Sequence, residues 1–135
     1  MTAASRKPTP AGDQELALLR WLAERGGASV GEAAEAYGAA RGLARSTVLT
    51  MMERLRAKGH LRRRREGGVY RYHSPASAGQ VLRGAVERFV DKTLGGSFSP
   101  VVAYLAERAQ VSRVELAELE ALVERLQAQK AEDER

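Results

Sequence analysis

The stretch between residues 41 and 71 interleaves basic side chains with hydroxyls and tyrosines, and this is the pattern in the chain that points to chemistry. Arg45-Ser46-Thr47 is followed at helical spacing by Thr50 and Arg54; further on, four consecutive arginines, Arg62 to Arg65, precede Tyr70-Arg71-Tyr72. Short hydroxyl side chains let a helix sit deep in a major groove, where threonine methyls meet thymine methyls and hydroxyls reach donors or acceptors. Arg54 fits either of two roles, bonding guanine or clamping a phosphate. For Ser46 a helix-capping role competes with DNA contact, whereas Thr50 falls mid-helix, where capping is not open to it. Arg62, Arg64, Arg65 and Arg71 are expected along the duplex backbone or in a minor groove, where they add affinity rather than sequence choice.

No other chemistry has a comparable pattern. His60 and His73 lack a cysteine or acidic cluster at ligand spacing, so no metal site is expected. The absence of Cys excludes disulfides, thiolate zinc sites, iron–sulfur clusters and thiol nucleophiles. There is no nucleophile–base motif, phosphate-cradling glycine loop or paired-carboxylate pattern, so no catalytic residue and no cofactor is expected.

Charge distribution supports a polyanionic partner. The chain of 135 residues carries a net charge of +5, but the excess is local: residues 41–71 hold ten basic and two acidic side chains, against four and five before them and eight and ten after. A membrane surface is the weaker partner, because no amphipathic membrane helix accompanies the charge. Neither a signal-peptide run nor the roughly 20 apolar residues needed to span a bilayer is present, and a cytoplasmic location is expected. With 44% hydrophobic residues, 5% aromatic and 29% charged, the chain is expected to be mainly helical.

The elements that must position these residues follow from periodicity. Residues 1–12 read as a mobile arm. A first helix begins near Asp13, with Leu16, Leu19, Leu22 and Ala23 at helical spacing and Leu18 and Trp21 at the flanks, and stops at Gly26-Gly27. Ser29-Val30-Gly31-Glu32 is a capping box opening a second helix to about Arg41. A third runs from Arg45 to Lys58, with Val48, Met51, Met52 and Leu55 on its inner stripe, and ends at Gly59. Alternation then takes over on both sides of Gly67-Gly68, which predicts a β-hairpin with Tyr70 and Tyr72 on one face and Arg62 and Arg64 together on a face of the other strand. Three helices and a hairpin form a winged helix-turn-helix head over residues 13–75.

Residues 76–131 read as a helical dimerisation region, with helices at 77–94, 100–109 and 112–131, and 132–135 as a disordered tail. Val81, Leu82, Val86, Phe89 and Val90 form one apolar stripe; Leu119, Val123 and Leu126 belong to another. Packing within the chain covers part of these stripes, and a second copy related by a two-fold axis is expected to cover the rest. Two heads on one palindrome also discriminate far better than a single recognition helix.

Residues 43–59, with Ser46-Thr47-Val48, Thr50, Arg54-Leu55 and Lys58-Gly59, resemble the recognition-helix signature of the penicillinase repressors (the BlaI/MecI/CopY family). Glu15-Leu16, Ala28-Ser29-Val30 with Glu32, Tyr70-Arg71-Tyr72 and Gly95-Gly96-Ser97-Phe98 support the likeness, which spans about residues 9–126. The resemblance implies a homodimeric repressor of β-lactamase or antibiotic-resistance genes that binds dyad operators in double-stranded DNA. It further implies release by proteolysis, triggered by a membrane sensor metallopeptidase, at an Asn-Phe bond after Gly-Gly. The matching pair here is Ser97-Phe98, a departure from that bond. Ala23 stands where the family usually has Trp, with Trp21 displaced, and the cysteine switch of copper-responsive relatives is excluded. The alternative from another class is an adaptor or antitoxin-like winged-helix dimer whose basic wing docks an acidic protein surface.

Overall fold

The computed structural model describes residues 11–108 and 110–135, so residues 1–10 of the expected arm lie outside the described residues. Of the remainder of that stretch, Ala11 packs against the core and Gly12 is the N-cap of helix α1 (Asp13–Arg25). The Glu15 carboxylate accepts from Gly12 N at 3.2 Å, satisfying a donor that the helix start leaves free. α1 ends at Gly26, whose φ of +88° lets both Gly26 N and Gly27 N turn back onto Leu22 O. Leu18, which spacing puts at the flank, is buried beside Leu19 and Leu22, while Leu16 is only half-buried.

Ser29 caps α2 (Val30–Ala33) as its sequence predicts: its hydroxyl accepts from Glu32 N at 3.2 Å and the Glu32 carboxylate accepts from Ser29 N at 2.9 Å. The helix does not continue regularly to Arg41. It widens into a π turn over Ala34–Gly38 and tightens into a 3-10 turn over Ala39–Arg41, burying Tyr37 and Gly38 side by side. Gly38 is where the second helical segment meets the third, α3 (Arg45–Ala57); a Cβ there would lie 2.9 Å from the Val48 side chain and 3.2 Å from Leu43 O. Val48, Met51, Met52 and Leu55 of α3 are buried, the inner stripe expected from spacing.

Strands β2 (Arg62–Glu66) and β3 (Val69–His73) form the hairpin, with Gly67 and Gly68 at φ +58° and +82°, the pair of left-handed residues a two-residue turn demands. A third, two-residue strand was not legible as one: β1 (Ala28–Ser29) pairs with β3, Ala28 opposite Tyr72 and Ser29 opposite Arg71, giving the sheet order β1-β3-β2. Two residues are too few to show alternation, and the capping role of Ser29 masked its pairing. Tyr72 on β3, Leu61 and the buried leucines and methionines of α1 and α3 make one core.

The chain divides into two compact units, the first ending at Phe89 and the second running Val90–Arg135. In the first, α4 (Ala78–Arg88), capped by Ser77 and Gln80, packs on α1, so this helix belongs with the head. It continues as a π turn over Phe89–Thr93. The second unit holds α5 (Ser99–Glu107) and α6 (Arg113–Asp133), the latter opened by the Ser112–Glu115 capping box. α6 reaches Asp133 and so takes in part of 132–135, which sequence assigned to a disordered tail; its strong helix formers carry the last turns. The winged helix-turn-helix class and the mainly helical character are as expected from the sequence.

Candidate nucleic-acid interface

The outward side of α3 is open. Arg45, Ser46, Thr47, Thr50 and Arg54 are all exposed. The N-cap is Ala44 and no side chain caps the helix, so Ser46 sits inside the first turn with no capping bond. Thr50 does use its hydroxyl locally, donating to Ser46 O at 2.9 Å, which a mid-helix threonine reaches one turn back. What Thr50 offers outward is therefore its methyl group and the oxygen lone pairs. Leu49 is the residue that the basic and hydroxyl pattern did not single out. It is 42% exposed, and the signal for it is its place one turn after Arg45 and one before Glu53, off the buried stripe.

The wing's arginines divide between two faces. In an antiparallel ladder directly opposed residues share a face; Arg63 lies opposite Tyr72 and Arg65 opposite Tyr70, while Arg62 lies opposite His73 and Arg64 opposite Arg71. Arg63 and Arg65 flank the exposed Tyr70 ring, at 4.1 Å and 5.5 Å from its centroid, which stiffens both side chains. Arg62 and Arg64 project from the other face, Arg64 in an exposed pair with Glu66 at 3.1 Å. Arg71 is engaged: it donates to the Glu32 carboxylate at 2.7 Å and to Gly27 O at 3.3 Å, tying β3 to the start of α2. The β1 pairing brings these groups together, so Arg71 is not the free wing cation its sequence position suggested.

Glu53 on α3 braces the helix to the wing. Its carboxylate accepts from Arg56 at 2.9 Å, from Arg63 at 3.1 Å and from the Tyr72 hydroxyl in a short hydrogen bond. The Arg56 bond first, then the Tyr72 bond, hold the carboxyl down at about 2. Burial, more than the hydrogen bond to Glu53, pushes the Tyr72 phenol up. A second brace joins the ends of α1 and α3, Lys58 to Glu15 at 2.6 Å, and it lowers the Glu15 carboxyl despite the opposing effect of its burial. Between α3 and the wing lies an open cleft of about 580 Å³, lined among others by Arg45, Leu49, Glu53, Arg65 and Tyr70. Arg45, Arg54, Arg62 and Arg65 form no ion pair within 4 Å among the described residues.

The residues assigned to dimerisation part ways. Val81 packs against the head's own core. Leu82, Val86 and Phe89 remain exposed, Val86 at 62%. In the second unit Val123 and Leu126 are exposed and Val90 and Leu119 half-buried. Ser97 and Phe98 are both exposed, following Gly95 and Gly96 at positive φ and preceding α5. Within the described residues no helix is long and apolar enough to cross a membrane.

Comparison with known proteins gives the family model described as Penicillinase repressor, matching residues 11–125. No curated protein sequence matches. Among solved structures, a MarR family protein from Bacillus stearothermophilus is 20% identical, with 91% of this chain and 77% of that one covered and a TM-score of 0.48. The transcriptional regulator SlyA is 17% identical, with 90% and 77% covered and a TM-score of 0.43.

Proposed function

Since the chain belongs to the penicillinase repressor family, whose members are winged-helix transcriptional regulators and not enzymes, we propose that it is a homodimeric repressor of a dyad operator, acting in the cytoplasm. α3 enters the major groove with Ser46, Thr47 and Thr50 toward base edges and Arg54 toward guanine or a phosphate. The wing follows the backbone, and its arrangement suits a narrow slot: Arg65 on one face and Arg62 on the other meet phosphates of both strands, while Arg64 beside Arg62 stays paired with Glu66. The observation that carries this reading is the cleft in which unpaired Arg45 of α3 and Arg65 of the wing stand together beside an uncovered helix face.

Dimerisation is supported by apolar side chains left uncovered in each unit, Val86 and Phe89 in the first, Val123 and Leu126 in the second. Relief of repression by a membrane sensor metallopeptidase would act on the exposed Ser97–Phe98 bond, and the regulated genes would be of the β-lactamase or resistance type. The test is fluorescence anisotropy of a labelled duplex from upstream of the protein's own gene, against a scrambled duplex, over a salt series. We expect two protomers per duplex, at least about 10³-fold preference for the upstream sequence and a steep loss of affinity with salt. Equal affinity for both duplexes, or a flat salt response, overturns the repressor reading and leaves the adaptor alternative.

A further inference from the structure

Leu49 stands outside every role described so far. The other large apolar residues of α3, Val48, Met51, Met52 and Leu55, are buried, whereas Leu49 is 42% exposed and lines the cleft facing the wing. A lone exposed leucine is ordinary on a protein surface; three features of its surroundings make this one informative. Thr50 beside it has its hydroxyl proton committed to Ser46 O, so it offers a base its methyl group and an acceptor but no donor. Glu53, one turn further on, has its carboxylate taken by Arg56, Arg63 and Tyr72 and is not offered to a cytosine amine. Ser46 and Arg45, one turn earlier, keep the polar contacts at the helix start. The middle of the reading face therefore presents apolar groups, with polar ones before them and a spent carboxylate beside Arg54 after them.

Thymine is the base that shows an apolar group in the major groove, its C5 methyl. We propose that Leu49 is a specificity-determining residue that reads thymine methyl groups, with the Thr50 methyl beside it, so that the half-site carries thymine at the base pairs beneath the middle of α3. The two side chains lie about 100° apart around the helix axis and face adjacent base pairs rather than one. This inference rests on the DNA-binding reading above and deepens it by naming the base.

The experiment selects duplexes from a random library with the full chain, then replaces each thymine of the selected half-site by deoxyuridine, which lacks only the methyl group. Removing the methyl under Leu49 should weaken wild-type binding about fourfold, the burial of one methyl-sized group. Leu49→Ala, which loses the contact in both protomers, should bind the thymine duplex about 16-fold more weakly and be indifferent to deoxyuridine at that position, while Leu49→Met, which keeps an apolar side chain of similar reach, restores the sensitivity. An unchanged circular-dichroism melt shows that Leu49→Ala is folded. Selected sites without thymine there, or a Leu49→Ala variant as sensitive as wild type at every thymine, overturn the role of Leu49 while leaving DNA binding intact. A library that yields no preferred sequence overturns the DNA-binding reading and this proposal together.

Discussion

Two arginines that are near neighbours in β2 should respond in opposite ways when neutralised. Arg65 has no acidic partner among the described residues, and its contact with Tyr70 leaves its charge in place; Arg63 is held by Glu53 at 3.1 Å, a carboxylate it shares with Arg56. Binding a phosphate releases about 0.9 counterion per contact, so the slope of log affinity against log salt counts the cations engaged. Counting only Arg45, Arg54, Arg62 and Arg65, the candidate contact arginines that form no ion pair, and leaving Arg64 paired with Glu66, a dimer neutralises eight phosphates and the slope is about −7. Arg65→Gln removes one contact per protomer, which brings the slope to about −5. Between 50 and 200 mM salt, wild-type affinity should then fall about 2 × 10⁴-fold and that of the variant about 2 × 10³-fold. Arg63→Gln should leave the slope near the wild-type value while lowering the melting temperature, because it removes a brace rather than a phosphate contact. Anisotropy titrations at several salt concentrations read both quantities. If Arg63→Gln flattens the slope as much as Arg65→Gln, or if neither changes it, the division of the wing into bracing and binding arginines is wrong.

Glu53→Gln should cost about 1 kcal/mol at pH 7, its partly exposed pairs being screened, and lower the melting temperature by roughly 5 °C. The carboxyl is held at about 2 against an ordinary 4.5, so its stabilisation is whole above about 4.5 and drains away as pH falls toward about 2; melts of the two proteins should converge there, and a gap unchanged by pH would refute the brace. Gly38→Ala would push a Cβ against Val48 and Leu43 O and should destabilise the head by about 1–3 kcal/mol in urea unfolding, whereas a neutral effect would show that the two helices part at no cost. Val86→Asp or Leu126→Asp should yield monomers by light scattering and lose operator affinity on the order of 100-fold; variants that stay dimeric would place the interface elsewhere.

Much of the head was legible because its signals are local. The capping box at Ser29 places its acceptors three residues from their donors, and the paired glycines at 67–68 announce the turn between two alternating stretches. The buried side of α3 followed from 3.6-residue spacing alone. β1 was too short to leave a pattern. The irregular second helix and the attachment of α4 to α1 depend on what each meets in space, which periodicity within one segment does not report.

The candidate site divides in the same way. Sequence by itself determined that a dense positive charge would share one head with a hydroxyl-bearing helix, since both follow from residue type and local spacing. Which of those charges remain available was decided only by the tertiary structure: Arg71 meets Glu32 across 39 positions and Arg63 meets Glu53 across ten, and strand register sets Arg62 opposite His73 and Arg65 opposite Tyr70. An ion pair between distant positions leaves no trace in local periodicity, because it exists only once a sheet has brought the two segments within a few ångströms, where attraction outweighs hydration.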